Sequence, residues 1–137
     1  MKFAATFTII LLFISVMFYS GCKDTITGDQ IDNIVIPSSN VSYSKYIQPV
    51  LNLKCATAGC HDDISKKHGI SFTTWSNTTA DPNVIFPGKP QSSSIIYAVK
   101  GLAPYEVMPP ISSGLKPMNE NQANGLETWI KEDAKNN

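Results

Sequence analysis

Cys55-Ala56-Thr57-Ala58-Gly59-Cys60-His61 sets two thiols and an imidazole within seven residues of a 137-residue chain that has only three cysteines and two histidines. A cysteine pair with histidine directly after the second thiol is the pattern by which a chain holds haem covalently. The thiols add to the porphyrin vinyl groups, and the imidazole reaches the iron. The common spacing puts two residues between the cysteines, whereas here there are four. A variant of this kind needs support from the rest of the chain.

Upstream, Ser42 to Leu53 carries Tyr43, Tyr46, Ile47, Val50 and Leu51 at helical spacing, which predicts a helix with one buried face running into Cys55. Pro49 lies inside it and removes one backbone hydrogen bond, so a kink or a late start is expected. Downstream, Ser92-Ser93-Ser94 offers N-caps for a short helix with Ile95, Ile96 and Val99 on one face and Gly101 to close it. Near the C-terminus, Asn119 before Glu120-Asn121-Gln122 is a capping-box signature, and Ala123, Leu126, Trp129 and Ile130 share a face. Gly125 interrupts that helix at a cost of about 1 kcal/mol relative to alanine, to be explained by a close crossing or as a tolerated defect. The intervening stretches are rich in Pro, Gly, Ser and Asn, and no strand pattern competes. The expected fold is all-α, with about three helices and long irregular loops.

Among the residues outside the motif, Met108 stands out, in Tyr105-Glu106-Val107-Met108-Pro109-Pro110. Two prolines after a methionine stiffen the backbone and fix where the thioether points. A soft sulfur donor on such a loop suits a haem iron, whose reduction potential a His/Met pair raises. Met118 is the competing sulfur, but it adjoins the C-terminal helix cap and is expected in the core. His68, after Lys66-Lys67 in a polar run, reads as a surface histidine.

The first residues place the chain in the cell. Met1-Lys2 is a short basic start, Phe3 to Phe18 is almost wholly apolar, and Tyr19-Ser20-Gly21-Cys22 follows, which together read as a secretory signal. Ser20-Gly21-Cys22 resembles a bacterial lipobox, with Tyr19 in place of the usual aliphatic residue. That likeness implies a signal peptide over 1–21 and a lipidated Cys22. An uncleaved membrane anchor is the alternative, although the apolar stretch is short for a span of about 20 residues. Either way the rest of the chain is expected outside the cytoplasm, tethered to a membrane surface at the periplasmic side or cell envelope. Residues 22–40, polar with isolated isoleucines, are expected to form a flexible tether, and 41–137 the domain.

Composition narrows the partners. Lys+Arg and Asp+Glu are 11 each, every basic residue is a lysine, and no basic stripe occurs, which argues against nucleic acid. There is no internal repeat. A domain of this size is marginal on apolar burial alone, and a large apolar cofactor would help stabilise it.

These features together resemble a monohaem c-type cytochrome of the bacterial lipoprotein type. The likeness runs from Tyr46-Ile47-Gln48-Pro49-Val50-Leu51 through Cys55–His61, Pro90-Gln91-Ser92, Val99-Lys100-Gly101 and Met108-Pro109-Pro110 to Trp129-Ile130. It implies a cytochrome c-like fold wrapped around one covalent haem c, with thioethers at Cys55 and Cys60 and axial ligands His61 and Met108. It also implies an electron carrier rather than an enzyme, with other redox proteins or membrane redox complexes as partners. The rival expectations are a haem-based ligand binder or sensor with a labile Met108, and a haem-free lipoprotein. The latter would hold a Cys55–Cys60 disulfide or a zinc site on Cys55, Cys60, His61 and His68. Trp75 is expected on the porphyrin or in the core, Trp129 in the core, and Tyr97 and Tyr105 near the haem propionates.

Overall fold

The computed structural model describes residues 27–137. The signal segment 1–21 and Cys22 lie outside the described residues. Five α-helices follow in order, α1 (Gly28–Asp32), α2 (Gln48–Lys54), α3 (Trp75–Thr78), α4 (Ser94–Lys100) and α5 (Glu120–Lys131), joined by long loops with single 3-10 turns. Among the described residues there is no strand, so the all-α expectation holds. No helix among them is long and apolar enough to cross a membrane.

The three expected helices form. Pro49 does not break its helix. A π-helical turn over Tyr43–Ile47 precedes it, with Gln48 N–H reaching back to Tyr43 O, and Pro49 then falls in the first turn of α2, where its missing donor costs nothing. α4 ends at Gly101 in the left-handed conformation. α5 has both halves of its capping box, Asn119 Oδ1 accepting from Gln122 N–H and Gln122 Oε1 accepting from Asn119 N–H.

The core gathers around Trp129, which is fully buried and stacks at 5.1 Å on Tyr43. The Tyr43 hydroxyl bonds Thr78 on α3, and Trp129 Nε1–H donates to Lys135 O, so neither buried polar tip is orphaned. Trp75 packs against this core and donates Nε1–H to Ala134 O, which makes it structural. Met118 is buried beside Ile47, Leu51 and Leu126, as expected.

Residues 27–36 pack against the core rather than trailing from it. Thr27 caps α1 with a capping box to Gln30, and Ile31 and Ile36 are 1% and 3% exposed in the core. The segment is held on α5 by side chains. Asn121 Oδ1 accepts from Ile36 N–H at 2.8 Å, Asn121 Nδ2 donates to Ile36 O at 3.0 Å, and Gln122 Nε2 donates to Ile31 O at 2.8 Å. Gly125 explains its own presence here. A Cβ at that position would meet Ile36 Cγ2 at 2.5 Å, so the close crossing is real, with an extended segment rather than a helix as the partner. From Thr27 onward the described chain is thus packed on the domain.

Candidate haem site

α2 delivers the chain into the motif and widens to a π-type turn at its end. Cys55 N–H and Ala56 N–H both donate to Leu51 O at 2.8 Å. The loop then closes on itself, with Cys60 N–H bonded to Thr57 O at 3.0 Å and His61 N–H to Cys55 O at 3.1 Å. That last bond spans the motif and brings its ends together despite the wider gap. The structure thus assembles Cys55, Cys60 and His61 on one loop. Both cysteines are free thiols.

The two thiols sit in different surroundings. Cys55 is 6% exposed, and burial pushes its thiol up to about 12, against a smaller opposing pull from Lys54. Cys60 is only half-buried. Lys54, just before Cys55, is itself buried. Its ammonium bonds Asp32 Oδ1 at 2.7 Å and the carbonyls of Lys116 and Pro117 at 3.1 and 3.0 Å, so α1, α2 and the chain entering α5 meet at one cation.

His61 is held by the segment after the motif. Its ring stands edge-on to Phe72 at 5.2 Å, and its carbonyl accepts from Phe72 N–H at 3.0 Å. Nδ1 lies 3.4 Å from Ile70 O. A carbonyl only accepts, so the tautomer this contact satisfies carries its proton on Nδ1 and leaves the Nε2 lone pair for a metal. Burial lowers the imidazole below its ordinary value, outweighing the Ile70 and Lys67 carbonyls that favour the charged ring.

Two aspartates that the motif reading passed over complete the loop. Asp62 reaches back to Gly59 N–H at 2.9 Å and forward to Ile64 and Ser65. Asp63 Oδ1 accepts from Ser71 Oγ and Thr73 Oγ1 at 2.7 Å and from Asn77 Nδ2 at 2.9 Å. Ser71 and Thr73 follow Ile70, so Asp63 anchors the strip that carries the carbonyl facing His61. The sequence signal was the Asp-x-x-Ser spacing of a side-chain-capped turn, directly after the histidine.

Met108 is presented from a separate loop. It is half-buried, its N–H donates to Ala98 O on α4 at 2.8 Å, and the Met108–Pro109 peptide is cis rather than simply extended. Beside it lies an open groove of ≈ 460 Å³ whose lining includes Tyr105, Val107, Pro110 and Ile111. Ile111 is 80% exposed, a large apolar surface for a small domain to leave uncovered. Tyr97 has its hydroxyl bonded to Gln91 O, which leaves Tyr105 as the freer of the two tyrosines expected near propionates.

The zinc expectation fails on placement. Among the described residues no group of three or more His, Cys, Asp or Glu is assembled to hold a metal ion, and His68 sits exposed on its own turn. Haem makes a different demand, because the porphyrin supplies four of the iron's ligands and the chain need add only axial ones. Two thiols on a closed loop and an imidazole with free Nε2 fit that group.

An all-α domain with two thiols and an imidazole on one loop resembles a c-type cytochrome. The model of the family described as Planctomycete cytochrome C matches residues 58–112, which supports a c-type cytochrome-like protein. The match takes in Cys60, His61 and Met108-Pro109-Pro110 and begins after Cys55. No curated protein and no solved structure gives a significant match.

Proposed function

We propose that this chain is a monohaem c-type cytochrome that carries single electrons at a membrane surface. The observation that carries this reading is the closed Cys55–His61 loop, whose imidazole turns Nδ1 to the Ile70 carbonyl and keeps Nε2 free. Cys55 and Cys60 would hold the haem by thioethers, with His61 and Met108 as axial ligands. When bound, the haem supplies an iron that moves between Fe(III) and Fe(II). The chain's part would be to orient the imidazole through the Ile70 carbonyl and to hold Met108 against α4 through its backbone amide.

Met108 decides between an electron carrier and a ligand binder. A methionine that stays bound leaves no open position for an exogenous ligand. The reduced wild-type protein should therefore show little spectral change under carbon monoxide, while Met108→Ala should bind it and have a lower reduction potential. A wild-type protein that binds carbon monoxide as readily as Met108→Ala would favour the sensor instead.

The tether belongs to the same proposal. With Cys22 lipidated, only residues 23–26 separate the lipid from Thr27, a reach of about 14 Å when fully extended. A domain on so short a link stays close to the bilayer, where larger redox complexes reside. Cys22→Ala should release the protein into the soluble extracytoplasmic fraction. A wild-type mature protein whose Cys22 carries no acyl mass would exclude the lipid anchor.

A further inference from the structure

A gap of four residues leaves Cys60 free to move relative to Cys55 unless some group fixes it, and the residue after the histidine does so. Both oxygens of the Asp62 carboxylate are engaged. Oδ2 accepts from Gly59 N–H at 2.9 Å and from Ser65 Oγ–H at 3.0 Å, and Oδ1 accepts from Ile64 N–H at 2.7 Å and Ser65 N–H at 2.6 Å. Gly59 N–H is shared with Ser65 Oγ at 3.1 Å. The carboxylate thus reaches back across Cys60 and His61 to grip the residue that precedes Cys60. Gly59 takes φ +82, a conformation glycine adopts without strain, which turns the chain so that its N–H meets Asp62. On the other side, Cys60 O accepts from Lys67 N–H at 2.9 Å. Cys60 is therefore held from both directions.

We infer that Asp62 is a positioning residue for haem attachment, fixing Cys60 across the widened gap where its thiol meets the second vinyl group. The inference rests on the c-type reading above. The step it serves is addition of S–H across a vinyl C=C bond. A C–S bond forms at the vinyl carbon next to the porphyrin ring, the thiol hydrogen goes to the terminal carbon, and no oxidant or reductant is consumed. Asp62 touches neither reacting atom, and its contribution is to restrict where Cys60 can be.

The test counts thioethers. The full chain is matured in a bacterial host competent for covalent haem attachment. The haem-bearing protein and its tryptic haem peptide are then weighed, and free Cys60 is titrated by alkylation after denaturation. Wild type should carry both thioethers. Asp62→Ala should keep haem on Cys55 while Cys60 becomes alkylatable in at least half the molecules, and the pyridine haemochrome band should move to longer wavelength because one vinyl group remains conjugated. Deleting Thr57 and Ala58 gives a two-residue gap in which the same substitution should leave both thioethers intact. Should Asp62→Ala fail to accumulate, Ser65→Ala keeps the carboxylate, loses two contacts and should show a smaller rise in free Cys60. Two intact thioethers in Asp62→Ala, or in Ser65→Ala where that variant stands in for it, overturn the inference alone. So does an equal loss in long- and short-gap backgrounds. Wild type without covalent haem overturns the c-type reading itself.

Discussion

Cys55 and Cys60 carry the same chemistry into unequal surroundings, and the difference is measurable before any haem is attached. A thiol raised to about 12 by burial is almost wholly protonated at neutral pH, and it is also shielded from reagents. In the apo chain, iodoacetamide should modify Cys60 faster than Cys55 by on the order of tenfold or more, with the two rates converging on unfolding. Equal native-state rates would contradict the burial of Cys55. Asp62 and Asp63 make a second residue-scale statement, through pH. Donation from Ser65 N–H chiefly lowers Asp62, and donation from the Ser71 hydroxyl chiefly lowers Asp63, below the ordinary carboxylate range. A group whose folded pKa lies below its unfolded one stabilises the fold in full above the unfolded value. For aspartate that value is about 3.9, and the contribution fades as pH falls through the depressed folded value. Thermal unfolding of the apo chain between pH 6 and pH 2 should show Tm falling below about pH 4, and Asp63→Asn should flatten that fall. An unchanged slope would mean that the Asp63 bonds do not persist in solution.

At the scale of elements, α5 and its partner segment give the sharpest test. On propensity alone Gly125→Ala should gain about 1 kcal/mol. The added methyl would meet Ile36, so the prediction reverses sign, to a loss of about 1–3 kcal/mol by denaturant unfolding. The loss should shrink when Ile36→Ala is the background, because the clash is then gone, and a Gly125→Ala variant more stable than wild type would refute the close approach. The Lys54–Asp32 pair offers a companion measurement. Asp32→Ala leaves a buried ammonium with two carbonyls and no counter-charge, and should cost about 3 kcal/mol. The elements also show where the sequence was readable. α4 carried an apolar face and a closing Gly101, and α5 a capping box and an apolar face, each within one local window, and both helices formed, although Ser93 makes no side-chain cap on α4. α1 and α3 did not stand out because each is a turn or so long and gains its stability from distant partners, α1 from Asn121 and Gln122 on α5, α3 from the Tyr43–Thr78 bond. The motif loop was legible in its thiols and imidazole and less so in its support: Asp62 carried the local Asp-x-x-Ser signal, while Asp63 bonds Ser71, Thr73 and Asn77, eight to fourteen residues away, which no local pattern singles out.

Across the whole molecule, the segment once expected to be a tether acts as a wall of the core, and that changes how the domain relates to any membrane. Removing residues 27–36 would expose the surface that Ile31 and Ile36 cover, at about 1.5–3 kcal/mol for each side chain. It would also strand the side chains of Asn121 and Gln122. The truncated domain should unfold at distinctly lower denaturant than the full chain. An unchanged midpoint would return the segment to the role of a linker. The folded domain and a lipid at Cys22 would then be separated by far more than residues 23–26. The arrangement of the rest follows one logic: α2 feeds the thiols and imidazole into a closed loop, α4 leads into the methionine loop, and α5 packs on α4 and on the π-helical turn before α2. Covalent haem is the single assumption that gives each of these a task. The direct test is to purify the full chain from a haem-competent host, denature it, extract it with acid acetone and record the pyridine haemochrome spectrum. The cytochrome reading predicts that about one haem per chain stays with the polypeptide after extraction. A washed polypeptide with no haemochrome absorbance would contradict it.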